Sequence, residues 1–140
     1  MVDWKIFAAG SAFFAGITAI LAKIGVKNIS SNLATLIRTF IIVIFISLLV
    51  FFRQEWKNPF SLDRRSLIFL ILSALTTGLS WLCYYRALQS GPASLVTSID
   101  KSSLVLTIFL SILLLGERLT IYQWLGGLLI AAGTIIVMFK

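Results

Sequence analysis

The chain has 140 residues, of which 59% are hydrophobic and only 12% charged, with a formal net charge of +7. Soluble domains carry roughly a quarter charged residues, so this sequence has too little polar surface to cover a water-soluble globule, and lipid is the remaining solvent. One cysteine, Cys83, and no histidine exclude an internal disulfide, a thiolate cluster and imidazole chemistry.

Five apolar segments follow, each close to the roughly 20 residues a helix needs to cross hydrocarbon. The first, at about 5–25, reads KIFAAGSAFFAGITAILAKIG. Its apolar stretch is too long for a signal peptide, and no small-residue cleavage site precedes the next polar stretch, so it is expected to be retained. In the connection VKNISSN, Ser30, Ser31 or Asn32 serves as N-cap for a second segment at about 33–52. The long polar loop RQEWKNPFSLDRR leads to a third at about 67–88. Gly91 and Pro92 stop that helix and restart a fourth at about 94–115. Past GERLT, with Thr120 as a candidate cap, the fifth runs over about 121–139. Helices are expected because open backbone cannot be satisfied in lipid and a closed barrel would show period-two alternation. The expected fold class is all-α: a polytopic membrane protein of five transmembrane helices, forming one domain over residues 1–140.

Basic residues near helix ends set orientation. Five crossings place the N-terminus, the long loop and GERLT on one side, with Lys5, Arg53, Lys57, Arg64, Arg65 and Arg118. The flanks on the other side hold Lys27 and Lys140. The first side is therefore expected to be cytoplasmic, with the N-terminus inside. The same clustering makes the positive charge a topological signal, and no nucleic-acid partner is expected.

Some charges lie deeper. Asp100 and Lys101 interrupt the fourth segment roughly 10 Å below its outer edge, and Arg38 lies about 8 Å below the same edge on the second. Lys23 and Arg86, near that edge on the first and third segments, are placed to snorkel to the headgroups and act as supporting charge. A charge at mid-helix costs about 2.5–3.5 kcal/mol on the insertion scale, so pairing, water or a ligand must offset it. One reading is a structural ion pair of Asp100 with Arg38 or Lys101. The other is a polar pocket in the outer half of the membrane, in which Asp100 orients the basic groups and the excess positive charge receives an anionic or carboxylate-bearing group.

Thr97, Asp100, Ser103, Thr107 and Ser111 share one face of the fourth helix. They either line a water-accessible path, most strongly at Ser103, or bond their own helix carbonyls and mark a packing face. On the third helix Trp81, Tyr84 and Tyr85 form an aromatic cluster, suited to an organic substrate or to the interfacial belt. The candidate substrate-binding residues are Arg38, Trp81, Tyr84, Asp100, Lys101 and Ser103. In the fifth helix Gly126 and Gly133 stand seven apart and Gly127 and Ala131 four apart, a small-residue pattern for close packing or dimerisation.

With these pieces in place, the chain resembles the EamA domain of the drug/metabolite transporter superfamily. YYRAL, SGPAS, LLLGERLT and GGLLIAAG carry the likeness to the domain's second half, and TLIRT and AKIG fit a short, single-domain branch. The resemblance implies one EamA-like unit of five helices in a prokaryotic cytoplasmic membrane. Larger members join two such units, inverted, around a cavity for small organic molecules. A single unit then needs a partner, most simply a second copy as a homodimer or other oligomer. An inverted pair of identical chains requires one product to insert both ways, which the charge bias opposes. Ser98 to Ser102 stand where many relatives carry proline, and the first helix has no deep acid such as the four-helix multidrug members use. Asp100 is the one deep carboxylate for proton coupling.

The function expected on this basis is secondary transport of a small organic metabolite. A non-transporting membrane subunit and a flippase-like carrier of a lipid-linked anionic group are the alternatives. No nucleophile–base pair or metal cluster is visible, so neither an enzyme nor a cofactor is expected.

Overall fold

The computed structural model of the chain describes residues 3–58 and 61–139. Lys140, used above for orientation, lies outside them. The elements are α1 (Trp4–Gly25), α2 (Ser31–Phe52), α3 (Arg64–Ser90), α4 (Ala93–Asp100), α5 (Ser103–Leu110), a π-helical turn (Ser111–Leu115) and α6 (Ile121–Met138), with no strand among the described residues. Five spans are long and apolar enough to cross a membrane: α1, α2, α3, the run Ala93–Leu115, and α6.

The helix ends follow from local chemistry. Ser30 adopts extended backbone and its hydroxyl accepts from the Leu33 N–H at 3.3 Å, which starts α2. Asp63 does the same for α3, accepting from the Ser66 N–H at 3.1 Å. At α6 the Gln123 side-chain oxygen accepts from the Thr120 N–H at 2.7 Å and from its hydroxyl at 3.1 Å, a capping-box arrangement. Gly116 ends the fourth span at φ +66°, a left-handed conformation that glycine adopts without a Cβ clash.

The fourth span has the expected extent but is not one uninterrupted α-helix. Around Lys101 and Ser102 the backbone tightens: the Ser102 N–H donates to the Ile99 carbonyl at 2.9 Å and the Leu104 N–H to the Lys101 carbonyl at 3.1 Å, three residues back instead of four. No proline causes this. Serine and aspartate are weak helix formers, and one turn earlier the Ser98 hydroxyl donates to the Ser94 carbonyl at 2.9 Å.

The chain divides into two compact units. One runs from Ile20 to Gln89; the other joins the chain before it to the chain after it. In the first, the last turns of α1 meet the end of α3. Lys23 Nζ donates to the Leu88 carbonyl, while Gln89 Nε2 donates to the carbonyls of Val26 at 3.2 Å and Ile29 at 2.6 Å. Each helix thus caps the orphan carbonyls of the other, and the Lys23 cation sits at the negative end of α3. Val26 and Leu88, 1% and 0% exposed, are the most deeply buried side chains. In the second unit α6 packs on α4 and α5, and buried Thr134 donates to its own helix at Ile130. Elsewhere large apolar side chains such as Phe13, Phe40, Leu79 and Leu129 point outward, as a lipid solvent requires.

Replacing Gln89 by leucine removes the donor from two carbonyls at a helix end, and Gln89→Glu replaces that donor with an acceptor. Both variants are expected to lose about 1 kcal/mol, the typical net worth of a hydrogen bond, since the bond to Val26 is part-buried and that to Ile29 exposed, read as a lower melting temperature in detergent. Unchanged melting of both would show that the caps do not hold α1 to α3.

Candidate functional site

Two polar constellations lie within the spans, one in each unit. The first is built on α2 and α3. Arg38 lies seven residues into α2, roughly 10 Å along the helix. Four residues apart on α3, Trp81 and Tyr85 present their rings on one side. The Arg38 guanidinium carbon lies 4.4 Å from the Trp81 ring centroid and 5.7 Å from that of Tyr85. Tyr85 is 4% exposed, while Arg38, Trp81 and Tyr84 are half-buried. Tyr84 meets Tyr85 edge-on, with centroids 6.3 Å apart.

Cation–π contact is worth about 0.5–2 kcal/mol depending on desolvation. An arginine at mid-helix costs about 2.5–3.5 kcal/mol and somewhat less at the off-centre position of Arg38, so the rings offset a large share of that cost without neutralising the charge. The ion pair shown among the described residues, Arg53 with Glu55 at 3.6 Å, belongs to the polar loop. Arg38 meets aromatic faces there, not a carboxylate. Lys23 is half-buried and its ammonium reaches the Leu88 carbonyl instead of only extending toward the headgroups. Arg86, at the same end of α3, is exposed. Lys23, Lys27 and Gln89 border a hollow of about 640 Å3 beside the reciprocal caps.

The second constellation is the tightened backbone of the fourth span. Asp100, Lys101 and Ser103 are exposed there, and within residues 90–139 neither charged side chain has an ion-pair or hydrogen-bond partner. Irregular backbone at membrane depth is tolerated only where protein buries it or water reaches it. Farther along, the hydroxyls of Thr107 and Ser111 donate to the Ser103 and Ile108 carbonyls, both at 3.0 Å, so the polar stripe there is spent on its own helix.

The small residues of α6 fall on two faces. A Cβ on Gly127 would lie 2.8 Å from Ile108 Cδ1 of α5, so this glycine serves the α5–α6 contact. Ala131, half-buried, follows one turn later, and both border an apolar groove of about 170 Å3 with Val105, Phe109 and Trp124. A Cβ on Gly126 or Gly133 would meet nothing within 4 Å.

Tyr85, named in the aromatic cluster, was not carried into the substrate-binding residues, and Gln89 was not read from the sequence as a candidate at all. The signal for both is spacing: 81, 85 and 89 recur every four residues on the face of α3 that meets Arg38 and the end of α1.

Residues 3–139 match the model of the EamA-like transporter family. The chain belongs to this family. A relative from a Sinorhizobium species, described as an uncharacterized transporter in the cobO 3' region, is 44% identical over 135 residues, covering 96% of each chain. An uncharacterized protein of Methanocaldococcus jannaschii is 36% identical over 83 residues, 59% of this chain and 61% of its own length. No solved structure matches the chain. With five candidate spans and an EamA domain, it is an integral membrane protein of a transporter family.

Gly127→Leu forces a branched side chain against Ile108 and is expected to destabilise the EamA domain by about 1–3 kcal/mol, the range for overpacking. A Cβ at Gly126 meets nothing within 4 Å, so Gly126→Leu should lower the monomer's melting temperature less than Gly127→Leu, or raise it through better helix propensity. Equal effects of the two in a thermal melt would contradict the assignment of Gly127 to the α5–α6 contact.

Proposed function

We propose that this EamA protein is a secondary transporter that moves a small organic metabolite across the membrane as a homodimer or other oligomer. Arg38 with Trp81 carries this reading: a guanidinium set inside a span and only partly offset by aromatic rings suits a polar ligand better than lipid. Tyr84 borders it through Tyr85, and Lys23 and Arg86 supply neighbouring positive charge. In the other unit Asp100, Lys101 and Ser103 form a second solute-facing group on a backbone stretch that needs water or protein around it. Asp100 carries the proton in coupled transport.

The open Gly126–Gly133 face of α6 is the contact offered to a second copy. The basic residues of the long loop hold the N-terminus inside the cytoplasmic membrane of a prokaryotic cell. The protein catalyses no covalent reaction and takes no cofactor.

Proteoliposomes loaded with a metabolite mixture provide the test. The intact protein is expected to accumulate at least one solute down a pH gradient. Arg38→Gln should lower that uptake by roughly ten- to hundredfold, the worth of a hydrogen bond to a charged group. Asp100→Asn should abolish the dependence on the gradient. A pure, folded protein that moves no solute, and becomes stable only with another membrane protein, would overturn the transporter reading in favour of a subunit role.

A further inference from the structure

Resting on the transporter reading, we propose that the Arg38 guanidinium receives an oxyanion of the solute, a carboxylate or phosphate group, through its N–H edge. Trp81 and Tyr85 are the positioning residues that set its plane. A guanidinium is a flat plate whose five N–H donors all lie in that plane. With the guanidinium carbon held over the Trp81 and Tyr85 rings, recognition is assigned to the N–H donors of its edge, and two parallel bonds to one oxyanion are the geometry they offer best.

Nothing in this unit occupies that edge. The acidic residues between Ile20 and Gln89 are Glu55 and Asp63. Glu55 pairs with Arg53, and Asp63 caps α3 by accepting from Ser66, so both act in the polar loop. The nearest hydroxyls on α2 are turned to their own helix: Thr35 donates to the Ser31 carbonyl at 2.9 Å and Thr39 to the Thr35 carbonyl at 2.8 Å. Among the described residues the Arg38 N–H groups have no hydrogen-bond partner. Lys23 is committed to the Leu88 carbonyl. A lysine in place of Arg38 would keep the charge but lose both the ring stacking and the paired donors.

Trp81 lies directly under the charge, so its fluorescence reports binding. A chain with Trp4, Trp56 and Trp124 replaced by phenylalanine, held in phosphatidylcholine nanodiscs, is titrated with benzoate, acetate and inorganic phosphate. Benzamide, acetamide and chloride serve as controls. The expected result is a saturable change in Trp81 emission with at least one oxyanion and none with its amide. Arg38→Lys should weaken binding about tenfold or more, by loss of a hydrogen bond to a charged group. Tyr85→Leu should weaken it while Tyr85→Phe restores it, a pattern that general destabilisation does not give.

Amides that bind as tightly as acids, or an Arg38→Lys protein with unchanged affinity, would overturn the proposal. The acid–amide comparison needs no change at Arg38, so it stands even where an Arg38 variant fails to fold. Adding phosphatidylglycerol to the discs separates the two sources of oxyanion: a response to that lipid with none to dissolved acids would overturn the solute assignment. Binding without uptake in vesicles would sink the transporter reading and leave the oxyanion site standing. Uptake of solutes that leave Trp81 silent would do the reverse.

Discussion

Carbonyls at the end of a membrane helix have no intrahelical donor, and hydrocarbon supplies none. In the unit from Ile20 to Gln89 that constraint is met by exchange: Lys23 of α1 serves the end of α3, and Gln89 of α3 serves the end of α1 and the following turn. Apolar burial gives little drive to join helices in lipid, since acyl tails are as apolar as leucine. Polar contacts and close packing must carry the association. The two most buried side chains, Val26 and Leu88, belong to two of the three residues whose carbonyls take part in these caps, the third being Ile29. Arg38, Trp81 and Tyr85 are positioned on helices fixed in this way.

The deep charges are handled by two different means. Arg38 is held against aromatic faces, which soften the field of the cation without neutralising it. Asp100 and Lys101 sit where the helix ladder itself tightens, so charged side chains and weakened backbone bonding occur together. Both arrangements are costly in pure hydrocarbon and become stable beside water or a polar solute. The proposed transport role rests on that cost, and the chain's EamA family is one of transporters.

The five spans were legible from apolar length alone, because hydrocarbon thickness sets helix length and few charges interrupt the runs. Thr120 and the Gly91–Pro92 break were legible from their chemistry, and Ser30 was one of three adjacent caps that sequence could not separate. The tightening at Lys101–Ser102 was not, since neither proline nor glycine marks it. Tyr84 and Tyr85 are neighbours in sequence but point about 100° apart on a helix, and only packing decides which meets Arg38. The same angle divides Gly126 from Gly127: spacing named both as packing residues, but only Gly127 approaches another helix among the described residues. Lys23, read as a headgroup anchor, also takes the Leu88 carbonyl, which nothing in the sequence places beside it.

The reciprocal caps also act as a fulcrum. Trp81 lies seven residues from Leu88, about 10 Å along α3, whereas Arg64 at the far end lies about 36 Å away. A tilt of α3 about the tied end therefore displaces Trp81 less than a third as far as it displaces Arg64. The aromatic seat of Arg38 thus lies on the short arm of that lever, and the polar loop on its long arm.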